Sequence, residues 1–284
     1  MYTVQEAVLF LKITSVNIID YYKHKCYTDY INKGTTLEDL YNTGVRVIID
    51  NYLIEESKKV RDYGNYWSAS SAGYCMRKNI FDRLKVEPTN PDDARKQRVF
   101  TAGHLFHEWL QSLTKDAGCS VSQEGELQDE KLMVIGHYDD IIKVDDHLIL
   151  YDYKTANSRS FGYKKEMSYF HRMQLGTYLY MLRQSKEYKN LTESRILTLE
   201  KDTLRTKEFV LFYDEELEAE ILEYWNTINS FWTDKKLPPC TCEEQEGGFM
   251  AKPAYNPYFY NGQPCSRDWY LLWKENNKEK VNGK

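Results

Sequence analysis

The chain has 284 residues, 42% of them hydrophobic and 29% charged, which is long enough to bury a real core and too apolar for wholesale disorder. Its formal net charge of −5 argues against a protein that coats nucleic acid through bulk positive charge, while leaving room for a local basic groove. No apolar run approaches the roughly 20 residues needed to span a bilayer, and the opening MYTVQEAVLFLKIT lacks the basic start of a secretory signal, so the expected location is the cytoplasm.

Residues 1–66 read as a helical N-terminal extension without a chemical motif. Thr35-x-x-Glu38 forms a capping box for a helix through Leu37, Leu40, Val45, Val47 and Ile48, interrupted by Gly44. From Trp67 the pattern changes, and Ser68, Ser70 and Ser71 are N-cap candidates for a helix carrying Cys75, Arg77, Ile80 and Phe81. After Pro88 and Pro91 a long helix runs from about Asp93 to Asp116, with His104 and His107 on one flank and Phe100, Leu110 and Leu113 as core contacts. Ser120 to Leu127 follows as a strand, and its Glu124 reads as an exposed charge that a tight turn would bring to the polar face of the next hairpin.

That hairpin is the centre of the sequence. Two apolar runs, Leu132 to Val144 and Leu148 to Tyr153, flank Asp145-Asp146, a hairpin signal. With Asp145-Asp146 as a two-residue loop, Asp139 falls opposite Asp152, close enough for both carboxylates to reach one hard cation. Lys154 lies two positions further along the strand and turns to the same face. Opposed like charges need neutralising, and a divalent metal with the lysine supplies that.

The segment Thr155 to Met167 mixes basic Arg159, Lys164 and Lys165 with Phe161 and Tyr163, which suits either a solvent loop or a groove for a single strand. A helix from about Tyr169 to Gln184 places Gln174 and Tyr178 one turn apart. Strands near Glu193–Leu199 and Lys207–Phe212 lead to an amphipathic helix from about Asp214 to Trp232, with Leu217, Ile221, Trp225 and Ile228 on its buried stripe. The tail holds Cys240-x-Cys242 and then Cys265. Cysteines in a chain of this kind read as thiols or metal ligands rather than disulfides.

Gly136-x-x-Asp139, Asp152-x-Lys154 and Gln174-x-x-x-Tyr178, in that order, resemble the PD-(D/E)XK nucleases, specifically the RecB-like branch with the CRISPR-associated and phage exonucleases. Gly103-x-x-x-His107 resembles the helical histidine motif of the same branch, and the likeness spans roughly Ser68 to Cys265. The resemblance implies an α/β, restriction-endonuclease-like fold: a mixed central sheet flanked by helices in a core over 67–239, a helical extension over 1–66 and a cysteine-tied segment over 240–284. It implies that Asp139 and Asp152 bind Mg²⁺ or Mn²⁺, with His107 and the carbonyl of Tyr153 as further ligands. Lys154 would orient the attacking water or stabilise developing charge, and Gln174 and Tyr178 would line the cleft and touch the scissile backbone.

The same resemblance implies that Cys75, Cys240, Cys242 and Cys265 hold a [4Fe–4S] cluster, with a Cys₄ zinc site as the rival because thiolates suit either metal. In the relatives the three late cysteines lie close together, whereas here a long insertion precedes Cys265. The expected activity is metal-dependent hydrolysis of DNA, from ends and preferring single strands. A non-catalytic nucleic-acid-binding assembly subunit and an endonuclease of the same fold are the alternatives. No membrane partner is expected, and nothing in the sequence sets an oligomeric state.

Overall fold

The computed structural model describes residues 44–57, 63–86 and 93–239. The chain divides into two compact units, 1–59 and 60–284. In the first, the described part is helix α1 (Val45–Ser57), which starts just after Gly44 and buries none of its residues. Leu37 and Leu40 of the expected helix lie outside the described residues.

The second unit is a mixed sheet flanked by helices, the α/β architecture expected. Its strands are β1 (Trp67–Ser68), β2 (Ser120–Asp129), β3 (Val134–Val144), β4 (His147–Ala156), β5 (Glu193–Glu200) and β6 (Thr206–Phe212). The path is β1-β3-β4-β5-β6, with β2 pairing β3 on its other side. β1 is parallel to β3 and β4 to β5, while the β2–β3, β3–β4 and β5–β6 pairs are antiparallel. The helices are α2 (Met76–Arg83), α3 (Ala94–Asp116), α4 (Ser158–Tyr163), α5 (Tyr169–Arg183) and α6 (Glu215–Thr233).

Local chemistry sets most of the boundaries. The side chains of Asp93, Asn157, Ser168 and Asp214 each accept an amide of the first turn they precede, satisfying donors that a helix start leaves open. Ser68, Ser70 and Ser71 cap no α-helix: Ala69–Ser71 is a short 3-10 turn, and α2 begins later, with Cys75 at its N-cap position. At the β3–β4 turn Asp145 takes a left-handed φ of 54°, which aspartate tolerates better than most residues.

Each face of the sheet carries its own core. On one side Ile141, Leu150 and Ile196 pack against Met173, Leu175 and Leu179 of α5, backed by Ile221, Trp225 and Ile228 of α6. Full burial of one such side chain stabilises by about 1.5–3 kcal/mol. Gly176 permits the close approach of α5 to α6, since a Cβ there would meet Ile221 Cδ1 at 2.7 Å, and Trp225 Nε1 donates to Thr177 Oγ1 at 3.1 Å.

On the other side α3 covers Ile142, Ile149, Tyr151 and Tyr153 through Leu110. Phe100 and Leu113, expected in this core, are exposed. The inward stripe of α3 runs instead through Gly103, His107, Leu110, Gln111 and Thr114, which meet the sheet at helical spacing. Among the described residues no helix is long and apolar enough to cross a membrane.

Candidate active site

The β3–β4 register follows from the two-residue turn. Val144 pairs with His147, Lys143 with Leu148, and the ladder continues to Asp140 with Tyr151. It ends one pair short of Asp139 and Asp152. Below that point β3 pairs with β1 instead, through Val134 with Trp67 and Ile135 with Ser68, so β3 and β4 part as a fork. Gly136 lies in the fork, where an added Cβ would stand 2.7 Å from both Ala69 Cβ and Tyr178 Cε1. The glycine of the motif is therefore required by packing.

Freed from the ladder, the Asp139 carboxylate accepts the amide of Tyr153 at 2.6 Å through Oδ2, and His107 Nδ1 lies 3.6 Å from that same oxygen. Gln111 Nε2 donates to the Asp139 carbonyl at 3.0 Å and to Glu124 Oε1 at 2.5 Å. Glu124 itself sits at a left-handed φ of 51°, at a break in the β2–β3 pairs between Gln123↔Asp140 and Gly125↔Tyr138. The glutamate read as an exposed strand charge is solvent-exposed and also tied to α3 beside Asp139.

Across the fork Asp152 is buried, and its Oδ2 forms an ion pair with Lys154 Nζ. Gln174 Nε2 donates to Asp152 Oδ1 at 3.0 Å and lies 3.2 Å from the Tyr178 hydroxyl. Gln174 and Tyr178 are both buried; Gln174 meets Asp152 directly, and Tyr178 meets Gln174. Tyr153 contributes its amide to Asp139, while its hydroxyl donates to Asp140 Oδ2 at 3.0 Å on the α3 side.

The electrostatics mark these groups as one cluster. Burial and then the neighbouring Asp152 charge push the Asp139 carboxyl up to about 8, against the opposing pull of Lys154 and the Tyr153 amide. Burial alone would lower the Lys154 ammonium, but Asp152 and Asp139 overturn that, and its pKa ends above the ordinary lysine value. Burial and then Lys154 take His107 down to about 4, so its imidazole is neutral at neutral pH and has a lone pair to offer.

Residues that sequence reading passed over complete the surroundings. Asp140, fully buried, accepts from Thr114 Oγ1 and Ser120 Oγ at 2.6 Å, and from Gln123 Nε2 and the Tyr153 hydroxyl at 3.0 Å. It locks α3 and β2 to β3 next door to Asp139. Gln111 could have been found as the residue one turn beyond His107; Asp140 has no signal of its own, being the second of two adjacent aspartates.

The donor set fits a hard divalent cation. Among the described residues no group of three or more His, Cys, Asp or Glu side chains is disposed to hold a metal ion by itself. Mg²⁺ does not need such a cage, because it keeps several waters and takes only one or two protein carboxylates. Two carboxylates near enough for one to raise the other's pKa form a pair whose repulsion such a cation relieves.

Of the four cysteines assigned to one cluster, Cys75 is buried at the start of α2, and Cys240, Cys242 and Cys265 lie outside the described residues. One contact bears on them. Arg77 Nε donates to the Pro238 carbonyl at 2.9 Å, bringing the chain two residues before Cys240 to the first turn of the helix that follows Cys75.

No curated protein matches the chain. Among solved structures, the crystal structure of SSO0001 is 16% identical with a TM-score of 0.47, over 76% of this chain and 98% of that one. The alkaline exonuclease LHK-Exo of Laribacter hongkongensis is 16% identical with a TM-score of 0.41, over 64% and 93%. Its complex with dAMP gives 14% and 0.43 over the same shares. The fork that carries Asp139, Asp152 and Lys154 lies within residues 121–243, the stretch of this chain that matches the family model of the PD-(D/E)XK nuclease superfamily.

Proposed function

We propose that the protein is a metal-dependent deoxyribonuclease that hydrolyses phosphodiester bonds from an end of single-stranded DNA, working in the cytoplasm. The observation that carries this reading is the pair Asp139 and Asp152 at the β3–β4 fork, with Lys154 in an ion pair with Asp152, inside the stretch that matches the nuclease family model. Asp139 and Asp152 would hold Mg²⁺ or Mn²⁺, with His107 and the carbonyl of Tyr153 as further ligands. When bound, the cation acts as a Lewis acid that neutralises phosphoryl charge and lowers the pKa of the attacking water.

The chain's own groups do the rest. Lys154 keeps a positive charge beside the carboxylates, where negative charge gathers on the phosphoryl oxygens. Gln174 fixes the orientation of Asp152, the Tyr153 amide fixes Asp139, and Gln111 ties Glu124 and β3 to α3. The single-strand preference draws on the basic-aromatic segment after β4. Within it Tyr163 is exposed and available to stack on a base, whereas Phe161 is buried beneath Lys207 and Arg205 and is not.

The same reading takes the chain as a nuclease core over 67–239 between an extension over 1–66 and a segment over 240–284 in which Cys240, Cys242 and Cys265 join Cys75 around a [4Fe–4S] cluster, or a zinc ion in its place. The Arg77–Pro238 contact supports such a tie. The deciding experiment compares linear end-labelled single strands, duplexes and covalently closed single-stranded circles with Mg²⁺ or Mn²⁺, using protein purified without air. Cleavage of linear strands alone is expected; equal rates on circles would make it an endonuclease, and no cleavage of any substrate would leave a binding subunit.

A further inference from the structure

The positive side of the site extends past Lys154. His171 lies one turn before Gln174 on α5, on the flank that Gln174 presents to Asp152. Lys164 follows α4, and its backbone is held in place: Lys207 Nζ donates to the Phe161 carbonyl at 2.8 Å and to the Lys164 carbonyl at 3.0 Å, while the Ser158 amide donates to Asp202 at 3.0 Å. A clamped segment of this kind directs its side chain, where a free loop would not.

Lys164 and His171 are both half-buried, and each lies within electrostatic reach of Lys154 and Asp152. Burial and then Lys154 lower the Lys164 ammonium, and burial and then Lys154 bring His171 to about 4. Among the described residues neither side chain has a hydrogen-bond or ion-pair partner. Holding an ammonium out of water beside a second ammonium is unfavourable, and an anion is the ligand that offsets it.

The surroundings say which anion. Phe170, next to His171, stacks on Tyr74 with ring centroids 4.3 Å apart at 8°, and Tyr74 lies within electrostatic reach of Lys154. A flat aromatic pair near a half-buried ammonium and a neutral imidazole matches a nucleotide, base and phosphate together, better than a lone inorganic ion. We infer that Lys164 and His171, with Lys154, form a subsite that holds the backbone phosphate next to the one cut, with the Tyr74–Phe170 pair as the wall for its base. Which phosphate this is rests on the nuclease reading; the subsite as a phosphate site does not.

In this role Lys164 supplies charge and His171 a neutral N–H donor. Both act on the neighbouring phosphate and not on the carboxylates, so they are substrate-binding residues. The test measures binding of a labelled short single strand with Ca²⁺ over a salt series, and cleavage with Mg²⁺, for the wild type, Lys164→Met, His171→Ala, His171→Gln and, as control at the hairpin tip, Lys143→Met. Losing one phosphate contact to a single strand should flatten the slope of log K against log salt by about 0.7 for Lys164→Met. KM should rise about tenfold with kcat little changed, since a contact made equally in ground and transition states has been removed.

His171→Ala should raise KM without moving the slope, His171→Gln should restore much of the loss, and Lys143→Met should match the wild type. A Lys164→Met protein with wild-type slope and KM overturns the subsite and leaves the nuclease reading standing. A wild type that binds, weakens with Lys164→Met and cuts nothing overturns the nuclease reading and leaves the subsite standing. A wild type that neither binds nor cuts overturns both.

Discussion

Asp139 and Tyr153 are joined by a hydrogen bond that a regular hairpin would not make: the Tyr153 amide donates to the Asp139 carboxylate at 2.6 Å. The β3–β4 ladder stops at Asp140↔Tyr151, β1 takes over the edge of β3, and the side chain of Asp139 turns across the gap. The opening that results is where Asp152, Lys154 and His107 converge on Asp139.

Asp152→Asn, Asp139→Asn and Lys154→Met should each lower metal-dependent cleavage about 10³-fold or more, the loss of several kcal/mol of charge stabilisation at about 1.4 kcal/mol per tenfold. The near-isosteric amides keep the packing, and circular dichroism checks that the fold survives. A folded Asp152→Asn protein that cuts at the normal rate would remove Asp152 from the site.

Gln174→Leu should act through Asp152, because the amide that orients Oδ1 is gone while the carboxylate remains. A drop of about 10–100-fold is expected for losing such a supporting partner of a metal ligand. The Mg²⁺ concentration for half-maximal rate should rise with it. An unchanged Mg²⁺ requirement would mean that Gln174 serves packing alone.

Gly136→Ala should destabilise the core by about 1–3 kcal/mol, the cost of forcing extra volume into a packed interior, because the new methyl group would stand 2.7 Å from Ala69 Cβ and Tyr178 Cε1. Urea unfolding reads this directly. Since Tyr178 is the group displaced, activity should fall by more than the stability loss explains, and a fully active Gly136→Ala protein would count against the packing role.

Glu200, buried at the end of β5, is held down to about 2 by Arg205 and the hydroxyls of Ser158 and Thr203. A carboxyl with a depressed folded pKa binds fewer protons in the native state, so its stabilisation is complete above the unfolded glutamate value of about 4.3 and disappears as pH falls towards about 2. Glu200→Gln should therefore lower Tm at pH 7, with the gap from the wild type closing below about pH 4. Parallel Tm curves down to pH 3 would contradict the assignment.

Protein purified without air should be brown and carry acid-labile sulfide with iron, and Cys75→Ser should lose both together with thermal stability, because a metal tie between chain ends contributes to folding itself. Colourless protein with stoichiometric zinc would identify the rival metal. Absence of both metals would dissolve the proposed grouping of Cys75, Cys240, Cys242 and Cys265.

The hairpin register and most of the longer strands and helices were legible because they are local, whereas the two-residue β1 and the short helix α4, in a segment read as a loop or groove, were not. Period-two and period-3.6 apolar patterns and a two-residue turn each act over a few positions. Asp139, Asp152 and Lys154 could be read as one group for the same reason: a single hairpin carries all three. What needed tertiary structure was everything set by long-range packing. The fork between β3 and β4 depends on β1, contributed from about seventy residues upstream, and the stripe that α3 turns inward depends on the sheet beneath it, which left Phe100 and Leu113 outside. Asp140 and His171 carry no pattern along the chain, because what gathers them beside the site is the docking of α3 and α5 on one sheet, and side-chain chemistry at a meeting point of separate elements leaves no periodic trace in the sequence.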